Sequence, residues 1–223
     1  LLDFGCGPGS ITLGLARAVA PGETVGMDIV EDVLSEARER AAAEGVTNVR
    51  FEAGNVYDLG YEAGSFDVAY AHQVLQHLTR PVDALREVRR VLRPGGMVAV
   101  RDYGTFACWP RSEAIERFLE VYHAVARRNG ADSDAGRALQ AWVREAGYVD
   151  IVVSGMVQVF ADPASTSNWG LSWAERTLHS SFGTQAVEYG FATQDEMERI
   201  SAGWREWVAS PDAFFMYTQI DVI

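Results

Sequence analysis

The sequence predicts an α/β fold with a seven-stranded, mostly parallel sheet flanked by helices and a helical insertion between strands six and seven. Three observations predict this fold. A short apolar run at residues 1–4 leads into a glycine-rich turn, and apolar runs of strand length then alternate with helical patterns to about residue 100. The turn at residues 93–96 precedes a fifth such run. Repeated strand-helix units form parallel sheets that bind ligands at the carboxyl ends of their strands.

Length and composition set the class of protein. The chain has 223 residues with 48% hydrophobic content, which predicts one domain spanning residues 1–223. No apolar run reaches the length of a membrane span and no signal peptide is recognisable, so we expect a cytoplasmic protein without membrane partners. The chain starts directly on its first predicted strand, and we expect that an N-terminal segment is missing.

The charge of the chain and its two cysteines indicate which classes of substrate, partner and metal are expected. The 19 basic residues, all of them arginine, are outnumbered by 31 acidic residues, giving a net charge of −12. Nucleic acid is therefore disfavoured as a partner, and a small neutral or cationic substrate is favoured. Cys6 and Cys108 lie in unlike contexts and neither belongs to a cluster with metal-ligand spacing, so we expect neither a disulfide framework nor a metal. Association into homodimers is left open.

The glycine turn after the first strand carries the first binding signal. Its spacing is D-x-G-x-G-x-G, starting at Asp3, and Ser10 stands where a dinucleotide fingerprint would place glycine or alanine. The helix at residues 11–19 follows. This turn resembles motif I of class I S-adenosylmethionine (SAM)-dependent methyltransferases, a Rossmann-like family. The resemblance implies SAM as the cofactor, contacted at Asp3, Gly5, Cys6, Gly7 and Gly9.

The next two predicted strands each end on a candidate cofactor contact. Asp28 lies at the tip of the strand at residues 24–29, about 20 residues beyond the glycine turn, where a carboxylate would hold a ribose diol, with Ile29 beside it. The alternative is that Asp28 caps the helix at residues 33–44. After the strand at residues 48–53, the resemblance implies that Asn55 contacts the adenine and that Val56 packs on the ring. A turn-forming role for Asn55 is the alternative.

The fourth predicted strand, residues 65–71, runs into a polar segment that resembles motif IV of the same family. In that family this segment lines the cavity where the sulfonium and the methyl acceptor meet, which implies roles for His72 and Gln73. His72 is either a catalytic base or a hydrogen-bonded wall of the pocket. The spacing of Gln73, Gln76 and His77 predicts a shared helical face, and we expect a structural role for His77.

The fifth strand, residues 97–103, follows a Pro94-Gly95-Gly96 turn and ends on Asp102 and Tyr103. Helices are predicted at residues 112–129 and 134–146, a buried sixth strand at 148–160, helical structure at 162–210 and a seventh strand at 213–220, which the resemblance implies is antiparallel. We predict that residues 105–147 and 161–210 form a helical substrate lid. The candidate substrate contacts in these segments are Trp109, Trp169, Trp173, Arg176 and His179. The alternative is that single aromatic residues anchor the lid, and Trp204 and Trp207 are expected in the core.

The chemistry that these elements imply is methyl transfer, an in-line displacement in which the protein aligns the reactants and excludes water. Where the acceptor is a hydroxyl or an ammonium, a base takes its proton, and the candidates are His72, Asp102, Tyr103 and His179. The long aromatic insertion resembles the UbiE-like (methyltransferase type 11) group and implies a small organic acceptor with an O-, N- or C-linked product. Three alternatives remain: an NAD-dependent oxidoreductase, a tRNA methyltransferase, suggested by the similarity of residues 101–104 to such enzymes, and a non-catalytic SAM-binding module.

Overall fold

The computed structural model describes all 223 residues, and its sheet confirms the predicted fold class. The strands lie in the order β3-β2-β1-β4-β5-β7-β6. Neighbouring strands are parallel from β3 to β5, and β7 is antiparallel to both β5 and β6. The strands are β1 (Leu2–Phe4), β2 (Thr24–Asp28), β3 (Val49–Ala53), β4 (Phe66–His72), β5 (Leu92–Trp109), β6 (Val153–Phe160) and β7 (Phe214–Val222).

Eight helices and two 3₁₀ turns connect the strands. The helices are α1 (Ser10–Val19), α2 (Glu31–Ala43), α3 (Pro81–Val91), α4 (Glu113–Arg128), α5 (Leu139–Glu145), α6 (Pro163–His179), α7 (Ser181–Glu188) and α8 (Gln194–Val208). The 3₁₀ turns are Leu75–His77 and Ala135–Arg137. Asp162 caps α6 with its carboxylate, and Thr193 and Glu196 form a capping box at α8, so the starts of these two helices are encoded locally. No helix combines the length and the apolar character needed to cross a bilayer.

The hydrophobic core is divided into a sheet part and a lid part. Two clusters lie against the sheet, one of 19 buried residues that includes side chains of α3 and α5 and one of five that includes α1 and α2. A separate cluster of 13 buried residues, which we call the lid core, joins α4, α6, α7 and α8 to the outer parts of β5 and β7. Trp204 and Trp207 belong to it, as the sequence predicts, and are 0% and 3% exposed.

The order of the strands reverses beside β1. From β1 the chain moves outward to β2 and β3, and then returns to pair β4 with the other side of β1. The connections on the two sides of β1 therefore diverge, and this reversal opens a crevice at the carboxyl ends of β1 and β4. The glycine turn follows β1 and the polar segment follows β4, so the fold brings both to this crevice.

The structure differs from the sequence prediction at three elements. The sixth strand starts at Val153 and not at 148, and the prediction that it is buried is wrong, because it forms the edge of the sheet and leaves Val153, Val157 and Val159 exposed. β5 continues through residues 105–109, and α5 packs on the sheet through Leu139 and Val143. These two parts of the predicted lid segment at 105–147 therefore belong to the sheet layer.

Candidate functional site

A cavity of about 350 Å³ lies at the crevice between β1 and β4, and we call it the donor cavity. Six predicted cofactor contacts line it: Gly5, Asp28, Ile29, Asn55, Val56 and Gln73. Six further residues complete the wall: Met27, Gly54, Tyr57, Val74, His77 and Leu78. Four separate loops supply these residues, each following the carboxyl end of a strand.

The glycine turn is shaped by three residues with left-handed backbone. Gly5, Gly7 and Gly9 have φ angles of 73°, 52° and 76°, a region that favours glycine. A Cβ on Gly5 would lie 2.5 Å from Val74 Cγ2, and one on Gly9 would lie 2.9 Å from Ala37 Cβ. A Cβ on Gly7 would meet no atom within 4 Å. Gly5 and Gly9 are therefore required by packing, whereas Gly7 leaves open space against the backbone where a ligand could lie.

Asp28 joins the glycine turn to the second strand. Its Oδ2 accepts a hydrogen bond from the Gly7 N–H at 2.9 Å, and its Oδ1 accepts from the Val30 N–H at 3.0 Å. Each carboxylate oxygen can accept a further hydrogen bond. The side chain is partly exposed and borders the donor cavity, so it can hold the turn and still receive the two hydroxyls of a ribose.

Asp3 and Cys6 support the turn from beneath. Asp3 is 3% exposed and accepts a hydrogen bond from the Thr12 hydroxyl at 2.7 Å, which fixes the start of α1 to β1. Burial raises the pKa of Asp3 to about 7 and the pKa of the Cys6 thiol to about 12. Cys6 therefore carries a neutral thiol at physiological pH. Neither side chain lines the donor cavity.

Ile29, Asn55 and Val56 form the outer wall of the donor cavity. Ile29 is 74% exposed, which is unusual for a large aliphatic side chain and leaves an apolar surface for a planar ring. Asn55 Oδ1 accepts a hydrogen bond from the Tyr57 N–H at 3.0 Å, as in a turn-forming asparagine. Its amide NH₂ remains available as a donor, so both predicted roles of Asn55 are compatible with the structure.

The segment after β4 is not an α-helix, so the predicted helical face of Gln73, Gln76 and His77 is wrong. Gln73 has a φ of 58°, a costly conformation for a residue with a side chain, and its N–H donates to the Arg101 carbonyl at 2.7 Å. The chain reverses direction there and enters the 3₁₀ turn. This reversal places Gln73 and His77, but not Gln76, in the wall of the donor cavity.

His72 lies on the sheet outside the wall of the donor cavity. Its Nε2 is 3.1 Å from Gln219 Nε2 on β7, and the ion pair of Arg101 with Asp221 lies beside it. Burial and the nearby Arg101 lower the pKa of His72, whereas Asp221 raises it. His72 is therefore hydrogen-bonded within the sheet, beside Gln219 and the Arg101–Asp221 ion pair.

The other candidate bases do not line the donor cavity, although the Tyr103 hydroxyl is hydrogen-bonded to the side chain of Gln73, which does. Burial raises the pKa of the Tyr103 hydroxyl, and Tyr217, 4.8 Å away between ring centres, raises it further. Asp102 is 1% exposed, and its Oδ1 accepts from the Gln76 N–H at 3.4 Å while its Oδ2 has no partner. His179 is exposed on the lid, 3.7 Å from Glu175.

The aromatic residues of the lid mostly contact one another. Trp169 stacks on Phe160 at 4.6 Å, and Trp173 packs edge-on against Phe118 at 4.9 Å. The Arg176 guanidinium lies 4.5 Å from the centre of the Trp173 ring. Trp109 is 59% exposed at the far end of β5, where its carbonyl accepts from the Trp207 indole. The arrangement favours an anchoring role for these residues.

A second cavity of about 230 Å³ lies between the 3₁₀ turn Leu75–His77 and the lid helices α4 and α7. Its wall includes Gln76, His77, Tyr122, Ser133 and Phe182. His77 borders both this second cavity and the donor cavity. The sequence pattern assigned His77 a structural role, and the only available signal for this position was its place in the polar segment after β4.

Other surface features lack the chemistry of a site. A groove of about 610 Å³ between α4 and α8 is lined mainly by charged residues that pair with one another, such as Arg117 with Glu196 at 2.7 Å. No group of three or more histidine, cysteine, aspartate or glutamate side chains is arranged to hold a metal ion.

A family model, two curated relatives and a solved structure were compared with this chain. A family model described as a methyltransferase domain matches residues 1–147. The chain is 31% identical over 232 residues to an uncharacterized methyltransferase of Schizosaccharomyces pombe, covering 100% of this chain and 83% of that protein. It is 30% identical over 255 residues to ltbC of Aspergillus luteorubrus, named as a probable methyltransferase, with 100% and 84% covered. The YcgJ protein of Bacillus subtilis has the same fold, with a TM-score of 0.62, 19% identity and coverage of 99% and 89%.

Proposed function

The chain belongs to the methyltransferase domain family and is a class I SAM-dependent methyltransferase, and from this premise we propose that it methylates a small organic acceptor held beneath its helical lid. The observation that carries the proposal is the donor cavity, whose wall includes the Asp28 carboxylate and the exposed Ile29 side chain. Gly7, which has open space where a side chain would stand, is not part of this wall but donates its N–H to Asp28. This combination suits a ligand that has a diol, a planar base and a flexible part that lies against the protein backbone.

The residues around the donor cavity fit SAM in two respects. Asp28 retains acceptor capacity for two ribose hydroxyls. Ile29 and Val56 offer apolar surface to an adenine, and the Asn55 NH₂ offers a donor to a ring nitrogen.

The chain's contribution to the reaction is alignment and exclusion of water. When bound, SAM supplies an electrophilic methyl group whose leaving sulfur needs no protonation. Gly7 allows close approach to the backbone, Asp28 holds the ribose end, and Gln73 and Val74 close the inner wall. Holding both reactants in one geometry accounts for much of the barrier reduction in such a displacement.

The lining of the two cavities supports a small acceptor over a nucleic acid. Asp28 is the single charged residue among those that line either cavity, and no arginine lines one. A tRNA substrate needs basic residues that neutralise phosphates around the site, and the net charge of −12 opposes this. A small molecule recognised by uncharged groups is therefore favoured.

The proposal is tested by incubating the protein with SAM labelled with tritium in its methyl group and separate pools of small-molecule acceptors and tRNA. We expect S-adenosylhomocysteine (SAH) to form with a small-molecule pool and the label to enter an organic product. Label in tRNA alone would contradict the small-acceptor assignment. Saturable SAM binding without SAH in any pool would indicate a non-catalytic binding module instead.

Asp28→Ala is expected to weaken SAM binding by about 1.5–3 kcal/mol, the range for losing hydrogen bonds to a charged group. Isothermal titration calorimetry measures the change in Kd. Asp32→Ala is the matched control, because Asp32 is an exposed carboxylate in the first turn of α2 that does not line the donor cavity. An Asp28→Ala protein with the affinity of the control would contradict the ribose-binding role.

A further inference from the structure

We propose that the second cavity is the acceptor subsite, that it takes a small neutral hydroxylated molecule of about the size of a phenol, and that His77 accepts the proton from the hydroxyl that is methylated. This inference rests on the proposed function, because it assigns the substrate class and the base to the same reaction.

His77 lies between the two cavities. The residue is part of the wall of the donor cavity and also of the wall of the second cavity. A molecule in the second cavity and a donor in the first can therefore both lie against His77. A base for methyl transfer needs this position, because it must reach the acceptor hydroxyl at the point where the two reactants meet. Neither His72 nor Asp102 lines either cavity.

Gln76 pairs with His77. The side-chain amide of Gln76 lies 3.2 Å from His77 Nε2. Gln76 is 4% exposed, and its Oε1 has no hydrogen-bond partner. Turning the amide by 180° lets the oxygen accept from Nε2–H, and amide orientation and ring tautomer are set by such hydrogen bonds. This arrangement leaves the lone pair on Nδ1 free to accept a proton.

The wall of the second cavity is aromatic and polar but uncharged. Tyr122 and Phe182 supply aromatic surface, with their rings 5.5 Å apart, and Ser133 and Gln76 supply polar atoms. Asn129 and Gln185 also line the wall but bond to each other at 2.8 Å. None of the lining residues is charged, so a carboxylate, phosphate or quaternary ammonium group would be buried there without a counter-ion, which is costly. The volume of about 230 Å³ limits the occupant to a compact molecule.

Methylation of the acceptor hydroxyl exchanges one bond to the methyl carbon for another and releases one proton. The acceptor oxygen forms a bond to the methyl carbon as the carbon-sulfur bond of the donor breaks, and that electron pair remains on sulfur. The hydroxyl proton moves to Nδ1 of His77 and is later released to solvent. Desolvation lowers the pKa of His77, so the imidazole is neutral at physiological pH and able to accept a proton.

The test first measures binding to the SAH-saturated protein. The probes are 4-hydroxyacetophenone and resorcinol, which are neutral, and 4-hydroxybenzoate, which carries a carboxylate. We expect the neutral phenols to bind at least about tenfold more tightly than the carboxylate, because the wall offers no counter-ion. Ala126→Phe, which fills the cavity from α4, and Ser181→Phe, which fills it from α7, should each remove phenol binding and retain SAH binding. Ala202→Phe on the exposed face of α8 is the control and should retain both.

The second measurement is turnover of the neutral phenols by His77→Gln, which keeps a hydrogen-bonding side chain but cannot take the proton. We expect phenol binding to persist while kcat falls by about 100-fold or more. The wild-type rate should rise with pH to a plateau that starts near or below about pH 6.5, and this rise should be absent from the variant.

The outcomes separate this proposal from the proposed function. Failure of the wild-type protein to bind SAH would remove the proposed function itself. SAH binding with no neutral phenol bound, phenol binding that persists in both cavity-filled variants, or His77→Gln turnover at the wild-type rate with an unchanged pH profile would each overturn the acceptor subsite or its base.

Discussion

Gly7→Val is expected to abolish detectable SAM binding while the chain remains folded. Of the three glycines in the turn, Gly7 alone leaves open space where a side chain would stand. Valine there would fill the space against which the donor lies, and would not collide with the protein. We expect Kd for SAM to rise by at least about 100-fold, which is about 2.7 kcal/mol. Calorimetric titration measures the affinity, and circular dichroism confirms the fold.

Gly45→Val provides the matched control for this experiment. Gly45 has a φ of 65°, and a Cβ at this position would meet no atom within 4 Å. The Gly45 N–H bonds to the Ala42 carbonyl at the end of α2, whereas the Gly7 N–H bonds to Asp28 in the wall of the donor cavity. Both substitutions place a branched side chain in left-handed backbone and should cost a similar amount of stability, about 1–3 kcal/mol for such strain. Equal losses of SAM affinity in the two variants would show that backbone strain, and not the open face of Gly7, is responsible.

Asp102→Asn is expected to stabilise the protein above neutral pH. Burial raises the pKa of Asp102 to about 7, whereas an unfolded aspartate has a pKa of about 3.9. The stability associated with the protonated carboxyl is therefore complete below about pH 4 and is lost as the pH rises through about 7. Each pH unit between the two pKa values corresponds to about 1.36 kcal/mol. We expect the variant to gain about 2–4 kcal/mol relative to wild type between about pH 4 and pH 8.

Urea unfolding at a series of pH values measures this difference. Asparagine keeps an oxygen for the Gln76 N–H and removes the ionisation, so the comparison isolates the charge. Asp67→Asn is the control, because Asp67 is exposed and Arg93 lowers its pKa; no gain with rising pH is expected there. A constant difference between Asp102→Asn and wild type across the range would contradict a raised pKa.

The donor side of the site could be predicted from sequence because its signals are local. The glycine spacing encodes the turn, and Asp28 follows at a fixed distance because one helix and one strand separate them. Six of the predicted contacts line the donor cavity for this reason. The role of each in binding SAM stays a prediction that the variants above test.

The acceptor side could not be predicted in the same way because it depends on tertiary contacts. The second cavity forms where the turn after β4 meets α4 and α7, which lie far apart in sequence. Periodicity predicted a helix for residues 73–77, but the left-handed backbone of Gln73 ends the strand in a reversal instead. The valine-rich pattern of β6 likewise matches a buried strand, whereas its place at the sheet edge is set by the order of the strands.

Acceptor preference can change independently of cofactor binding because the two parts of the hydrophobic core are separate. The lid core shares no buried residue with the clusters beneath the donor cavity. Substitutions among the lid helices can therefore accumulate with little effect on the residues of the donor cavity that bind the nucleoside. Exchanging α4 together with α6, α7 and α8 between relatives should redirect which molecule is methylated, because α4 and α7 line the second cavity, and should leave cofactor affinity intact.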